Sequence, residues 1–329
     1  MKQQTFSDIE YGNRKRKTRR EEFLAMMDRI VPWGAFVDLV RPYYPKGERG
    51  RPPIGIEVML RMYFLQVWFT LSDEVVEDTI YDSYAFRTFM GIDFLSKQAP
   101  DATTLCLFRQ LLEENSLTIA MFQYIDEALN ANGLIMRGGS IADAAIFNAP
   151  RSTKNQGRAR DPEMGSTKKN GQWHFGAKLH IGADAGTGLV HSFETTAANV
   201  SDIEVAHDVL RHDDEVLYGD AGYIGLEKRD EMGEDYPDMQ YRINVRRSSI
   251  PTLPDGEKEQ WAAFIEARKS AVRNKVEHPF HIIKDIFGFR KTPYKGLIKL
   301  EARLAALCMS ANLFLCARAG RIAKPLLCP

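Results

Sequence analysis

The chain has 329 residues, enough for two domains of ordinary size, and 44% of them are hydrophobic, ample for a packed core. Lys and Arg number 44 and so do Asp and Glu, so the net charge is zero and overall charge argues for no particular partner. The distribution is less even. Residues 14–20 read RKRKTRR, and from Arg290 onward there are eight Lys or Arg against one acid, Glu301. Basic ends on a balanced middle suit a polyanion, although a solvated tail accounts equally well for the N-terminal run alone. Cys106, Cys308, Cys316 and Cys328 have no paired zinc spacing and read as thiols in a reducing compartment. The N-terminus has no apolar signal core, and the uncharged run Leu304 to Ala317 is too short to span a bilayer. The expectation is a soluble cytoplasmic protein with no membrane partner.

Residues 20–132 read as helices. Phe23, Leu24, Met27 and Ile30 have helical spacing, and a second helix follows from Trp33 to Val40. After the break RPYYPKGERGRPP, the stretch from Ile54 to Leu71 is apolar almost all round and is expected at the buried centre. Ser72 should cap one helix running to Gly91, Asp101 a second, and Ser116 a third. Two helices joined through the Pro-containing loop could present one to a DNA groove, and a plain helical bundle explains the pattern equally well.

At Gly138 the pattern changes to strands alternating with helices. GGSIADAAIFNAP is a short strand ended by Pro150, and 151–170 reads as a polar, basic loop. WHFGAKLHIGAD and LVHSFETTAAN pair as a hairpin across Gly186-Thr187-Gly188. A helix capped by Asn199 or Ser201 should run to Arg211. A strand then ends at Asp220, a helix covers 224–233, a strand covers 239–245, and long helices cover about 257–286 and 296–319. This order predicts an α/β mixed sheet with helices on its faces, with the boundary near Ala131–Gly138.

Carboxylates stand out in this second part. Asp143 interrupts an apolar strand, where a carboxylate is costly unless paired or holding a metal. Asp220 ends another strand, between Gly219 and Gly222. Either Asp alone could be a turn former or cap. Further on, Arg273, Glu277, His281, Lys284 and Gly288 recur at steps of four, four, three and four, along one helix face. An exposed charge ladder has this spacing too. Two strand-end acids with an acidic helix downstream favour a metal-binding set. Phosphodiester cleavage without a covalent intermediate needs an activated nucleophile and a stabilised leaving oxygen, and two Mg²⁺ ions about 4 Å apart serve both. Mg²⁺ or Mn²⁺ takes oxygen ligands, so Asp143, Asp220 and Glu277 would suffice. Arg273 and Lys284 would face the phosphates. His174 and His180 read as structural or DNA-facing. Lys178, with Trp173 close by, suits a DNA backbone and an unstacked base. Arg16, Lys17, Arg19 and Arg20 are the candidates in the N-terminal run.

These residues carry a resemblance. Asp143, Asp220 and Glu277 look like the triad of bacterial DDE transposases with a ribonuclease-H-like core. The strings GRPPIGIEVMLRMYFLQVWFTLSD, PDATTLCLFR, QWHFGAKLHIGAD, TTAANVSD, DAGYIG and VEHPFHIIKDIFGFRKTPYKGL resemble the insertion-sequence-five family along nearly the whole chain. The wider superfamily has a Tyr, Arg, Glu, Lys signature. Arg273, Glu277 and Lys284 match it, and Ser270 stands where the Tyr would be. The resemblance implies a helical domain, 1–135, that helps bind transposon ends. It also implies a catalytic domain, 136–329, that cuts at the element's end with metal-activated water and joins the freed 3′-hydroxyl to target DNA. The implied partners are double-stranded DNA, both inverted-repeat ends and target, and further copies of the chain assembled on it at the nucleoid. A metal-dependent nuclease that cuts without joining, and a DNA-binding protein without catalysis, are the alternatives.

Overall fold

The computed structural model describes residues 14, 16–47, 52–92, 98–154, 157–169, 171–245 and 256–327; Lys15 and Cys328 lie outside them. Thr18 opens the first helix, α1 (Arg19–Ile30), with a reciprocal cap: its hydroxyl accepts from Glu21 N–H while Glu21 accepts from Thr18 N–H. Then come α2 (Trp33–Val40) and α3 (Ile56–Phe69). As its all-round apolar pattern predicts, α3 is buried from Met59 to Trp68 apart from Arg61. Ser72 and Asp101 accept backbone N–H groups as expected of caps. The single helix expected after Ser72 is two, α4 (Asp73–Asp82) and α5 (Tyr84–Met90), because Ser83 adopts an extended backbone between them. After α6 (Ala102–Glu114) comes α7 (Leu117–Ala131). Ser116 precedes it in the left-handed region with no side-chain cap, since its backbone makes the turn that joins the two helices.

The sheet follows. Strands β1 (Ser140–Asn148), β2 (Gly165–Lys169), β3 (Gln172–Asp184) and β4 (Val190–Ala197) are antiparallel neighbours centred on β3. One edge of β3 pairs with β1, and the other holds β2 and β4 end to end. On the far side of β1, β5 (Val216–Gly219) and β6 (Gln240–Ile243) add in parallel, giving six strands among the described residues. This mixed sheet, with helices before and after it, is the ribonuclease-H-like arrangement. The hairpin turn after β3 is held by buried Asp184, which accepts from Gly186 and Thr187 N–H and from Met136 N–H.

Three elements differ from their sequence patterns. The basic loop contains β2, whose polar side chains hide an edge strand held by backbone pairing to β3. The helix expected from 199 to 211 is two short 3₁₀ turns, 202–204 and 207–209. Lys178 donates to Val200 O and to Asp202, and Ser192 donates to Val209 O, so side chains of the sheet pin this stretch. After Gly225, at φ +93°, the expected helix is a 3₁₀ turn followed by α8 (Asp230–Asp235).

After α9 (Gly256–Arg273) and α10 (Glu277–His281), the last long helix, α11 (Leu297–Arg318), is apolar enough to cross a membrane by length and composition, but 83% of its apolar window is buried in the fold. It packs against α7, α3 and β4 at once, so one hydrophobic core runs through the helices and one face of the sheet, across the 131–138 boundary. A second, smaller cluster around Leu217 and Tyr223 covers the other face.

Truncating this helix tests the shared core. Leu304→Ala, at a fully buried position, is expected to lower unfolding free energy by about 2–5 kcal/mol. Chemical denaturation should show one transition shifted to lower denaturant. A shift confined to one of two separate transitions would instead mean independent units.

Candidate active site

Register brings the first two acids together. β1 and β5 pair in parallel with Ser140 beside Leu217 and Ile141 beside Tyr218. Continuing that register puts Asp143 level with Asp220 on the adjacent strand, where neighbouring backbones lie about 5 Å apart. Asp220 follows the last residue of β5, and its Oδ1 accepts Gly222 N–H at 2.7 Å, which turns the chain sharply there. Gly219 is required: a Cβ there would stand 2.9 Å from the buried Tyr223 ring and 3.0 Å from Ile243.

The third acid comes from the helical segment over the sheet. Helix α9 (Gly256–Arg273) ends at Arg273. A 3₁₀ turn leads into α10 (Glu277–His281), and a π turn spans Ile282–Ile286. The one continuous helix expected here is thus broken on both sides of Glu277. A π turn is often found at functional sites, since its wider ring re-aims the side chains that follow. Arg273, Glu277, His281 and Lys284 nevertheless line one cleft of about 570 Å³, together with Asp143, Ala144, Ala145, Lys169, Asp220, Phe280, Asp285 and Arg290. Gly288 is not among its lining residues.

Charge organises this cleft. The Arg273 guanidinium lies 3.3 Å from Asp143 Oδ2 and 3.8 Å from Glu277 Oε1, so it bridges two of the three acids. Burial pushes the Asp143 carboxyl up to about 6, and repulsion from Asp220 and Glu277 adds to it; the Ala144 N–H and Arg273 pull the other way. Lys284 is half-buried, with its ammonium over the Phe147 and Phe280 rings at 5.1 and 5.9 Å. Burial, then the nearby Lys169 and Arg290, lower its pKa. Among the described residues neither Lys284 nor Lys169 forms a hydrogen bond or ion pair. Asp285 pairs with both His281, at 2.7 Å, and Arg290.

Among the described residues no three His, Cys, Asp or Glu side chains form a closed metal-holding cluster. The three acids stand instead as an open array of hard oxygen donors around one cavity. That array suits Mg²⁺, which uses few carboxylates and keeps several waters, and their mutual repulsion is what a cation would relieve.

Other sequence candidates sit elsewhere. Lys178 turns inward: it donates to Val200 O at 2.7 Å and pairs with Asp202 at 2.8 Å, with its side chain 12% exposed. Its charge is satisfied within the fold and it does not line the cleft. Trp173 is exposed near the start of β3, beside Lys168 in the paired strand. His174 hydrogen-bonds Asn148, and buried His180 hydrogen-bonds Thr196, both within the sheet. Arg16, Lys17, Arg19 and Arg20 are exposed. Arg20 lies over the Phe69 and Phe86 rings, and Arg19 and Arg20 line a separate cavity with Thr18, Ser83 and Tyr84. Ser270 accepts a hydrogen bond from Asn244, just past β6, which ties α9 to the sheet edge. Sequence reasoning did not single out Asp285 or Arg290, and it put Lys169 in a loop. Only the recognition of β2 as a strand fixes where Lys169 points.

Residues 136–313, more than half of the chain, match the family described as Transposase DDE domain. Residues 13–111 match the one described as Transposase domain (DUF772). These matches reach DDE transposases at large and do not single out the insertion-sequence-five branch. No solved structure matches the chain.

Crowded acids have a measurable signature in the metal-free protein. The Asp143 carboxyl binds its proton below about 6 in the folded chain and only below about 4 when unfolded. The folded state therefore holds more protons within that window. Stability falls as pH rises through it, and the penalty, of order 1–3 kcal/mol, is complete at pH 7. With a chelator present, Asp143→Asn should melt above the parent at pH 7, with the gap closing toward pH 4. A variant melting below the parent at pH 7 would contradict this account of the cleft.

Proposed function

We propose a reaction for a chain that belongs to the DDE transposase family: it cuts DNA at the ends of its own element and joins the freed 3′-hydroxyl to target DNA. The observation that carries this reading is the cleft itself, lined by three carboxylates from separate elements, by Arg273, and by Lys169 and Lys284, which form no ion pair among the described residues.

Asp143, Asp220 and Glu277 would hold Mg²⁺ or Mn²⁺, which when bound supplies charge to both the attacking and the leaving oxygen. Arg273 orients Asp143 and Glu277 by bridging them. Lys284 and Lys169 take the phosphate backbone at the cleft's mouth. A half-buried ammonium without an anion is unfavourable, so the phosphate supplies what the fold leaves out. Water attacks the phosphodiester at the element's end and releases a 3′-hydroxyl. That hydroxyl then attacks a target phosphodiester in the same cleft. Arg16, Lys17, Arg19 and Arg20 would grip the ends at a distance from the chemistry, and copies of the chain would assemble on the DNA.

The test is incubation of the full chain with duplexes carrying the gene's flanking ends, with Mg²⁺ or with EDTA. Cleavage and joining only with Mg²⁺ are expected; cutting without joining would reduce the reading to a nuclease. Asp220→Asn should slow cleavage by orders of magnitude and leave end binding intact, because binding rests on cations. Equal loss of both would assign Asp220 to folding.

The two cations nearest Glu277 should separate. Lys284→Ala is expected to weaken binding and to flatten its salt dependence by about one phosphate contact. Arg273→Ala should slow single-turnover cleavage more than it weakens binding. Unchanged salt slope and rate in both variants would make them ordinary surface charges worth under about 1 kcal/mol.

A further inference from the structure

We propose that His281, held by Asp285, gives the proton to the leaving 3′-oxygen when the element's end is cut; this rests on the cleavage reading above. His281 sits four residues past Glu277, about 6 Å along a helix axis, and lines the same cleft as Asp143 and Asp220. Its Nδ1 lies 2.7 Å from Asp285 Oδ2. A carboxylate only accepts, so Nδ1 carries the hydrogen and Nε2 is the nitrogen that exchanges a proton. The other oxygen of Asp285 accepts from Arg290, so the orienting carboxylate is itself fixed. Among the described residues Nε2 has no partner, and the side chain is 62% exposed, open to substrate and to solvent.

An i,i+4 His–Asp pair on a solvated helix would be unremarkable. This pair differs in lining the cavity that holds the three acids, with the free nitrogen as its one unassigned proton carrier. The charged groups around it are Glu277, Lys284 and Asp285 on its own segment, Arg273 before it and Arg290 after it. Lys169 on β2, Asp143 on β1 and Asp220 just past β5 line the same cleft.

The step balances as follows. The water oxygen forms a bond to phosphorus and the P–O3′ bond breaks, its electron pair going to O3′. Protonated Nε2 gives its proton to O3′, the attacking water loses its own to solvent, and exposed His281 is reprotonated from bulk water. Stabilising a developing alkoxide in this way is the usual task of a general acid.

Sulfur replaces that need. A substrate with sulfur bridging phosphorus and the 3′-carbon at the cut site leaves as a thiolate without a proton. Single-turnover cleavage of this substrate and of the ordinary one is compared for the full chain and its variants, with Mn²⁺ in every arm. His281→Ala should cut the ordinary substrate about 100-fold more slowly and the sulfur substrate within about threefold of the parent. Asp285→Asn should lie between and move the high-pH limb of the rate profile. Unfolding midpoints and DNA affinity should match the parent. An equal defect on both substrates overturns the proposal, and so does an unimpaired His281→Ala. A parent that cuts neither substrate overturns the cleavage reading itself, and the proposal with it.

Discussion

Helix α11 is the constraint on which the rest depends. It is apolar along most of its length, yet three polar side chains inside it bond specific backbone and side-chain partners. Arg303 donates to Gln66 O and Val67 O, carbonyls in the last turn of α3. Ser310 accepts from the Trp68 indole. Asn312 grips both the N–H and the carbonyl of Val190, the first residue of β4. Apolar burial alone would let α11 slide or rotate. These pairings fix its register against the helical part and the sheet together, since a shift would leave buried polar groups unpaired.

That register reaches the cleft. The segment carrying Glu277 is tied at both ends. Lys275 donates to Ala185 O and Gly186 O in the hairpin turn, and Thr70, just past α3, donates to Phe287 O. Beyond it, Thr292 N–H bonds Asn148 O at the end of β1. Glu277 itself is exposed, and among the described residues its one ion pair is with Arg273. Its place beside Asp143 therefore comes from backbone ties on either side rather than from packing of its own side chain. This arrangement suits a ligand that must stay accessible to large substrates.

Much of this was legible because the signals were local. Asp220 shows as a polar break at the end of an apolar run, whereas Asp143, expected at a strand end, lies inside β1. Ser72 and Asp101 act as caps because their hydrogen bonds close within one turn. What failed were features set by partners far away in sequence. Lys178 stands in a basic stretch of sequence, and its partner Asp202, distant in the chain, is what turns its charge inward. The polar strand β2 has no alternation to read, and its partner β3 alone defines it. The helix expected from 199 to 211 lost to side chains of the sheet. Asp285 drew no notice because its meaning lies in His281 and Arg290, and the π turn between them leaves no sequence trace.

Zero net charge also decides how such a protein can hold DNA. With no long-range attraction from the whole molecule, affinity has to come from cations that the fold leaves unpaired. Sorting them by partner is then more informative than counting them. Arg109 is engaged by Asp73, Arg211 by Asp214, and Arg303 by backbone carbonyls; Lys178 by Asp202. Among the described residues, Lys169 and Lys284 form no ion pair and line the cleft that also gathers Asp143, Asp220 and Glu277. A cavity lined by four carboxylates and four cations repels neither metal cations nor phosphates.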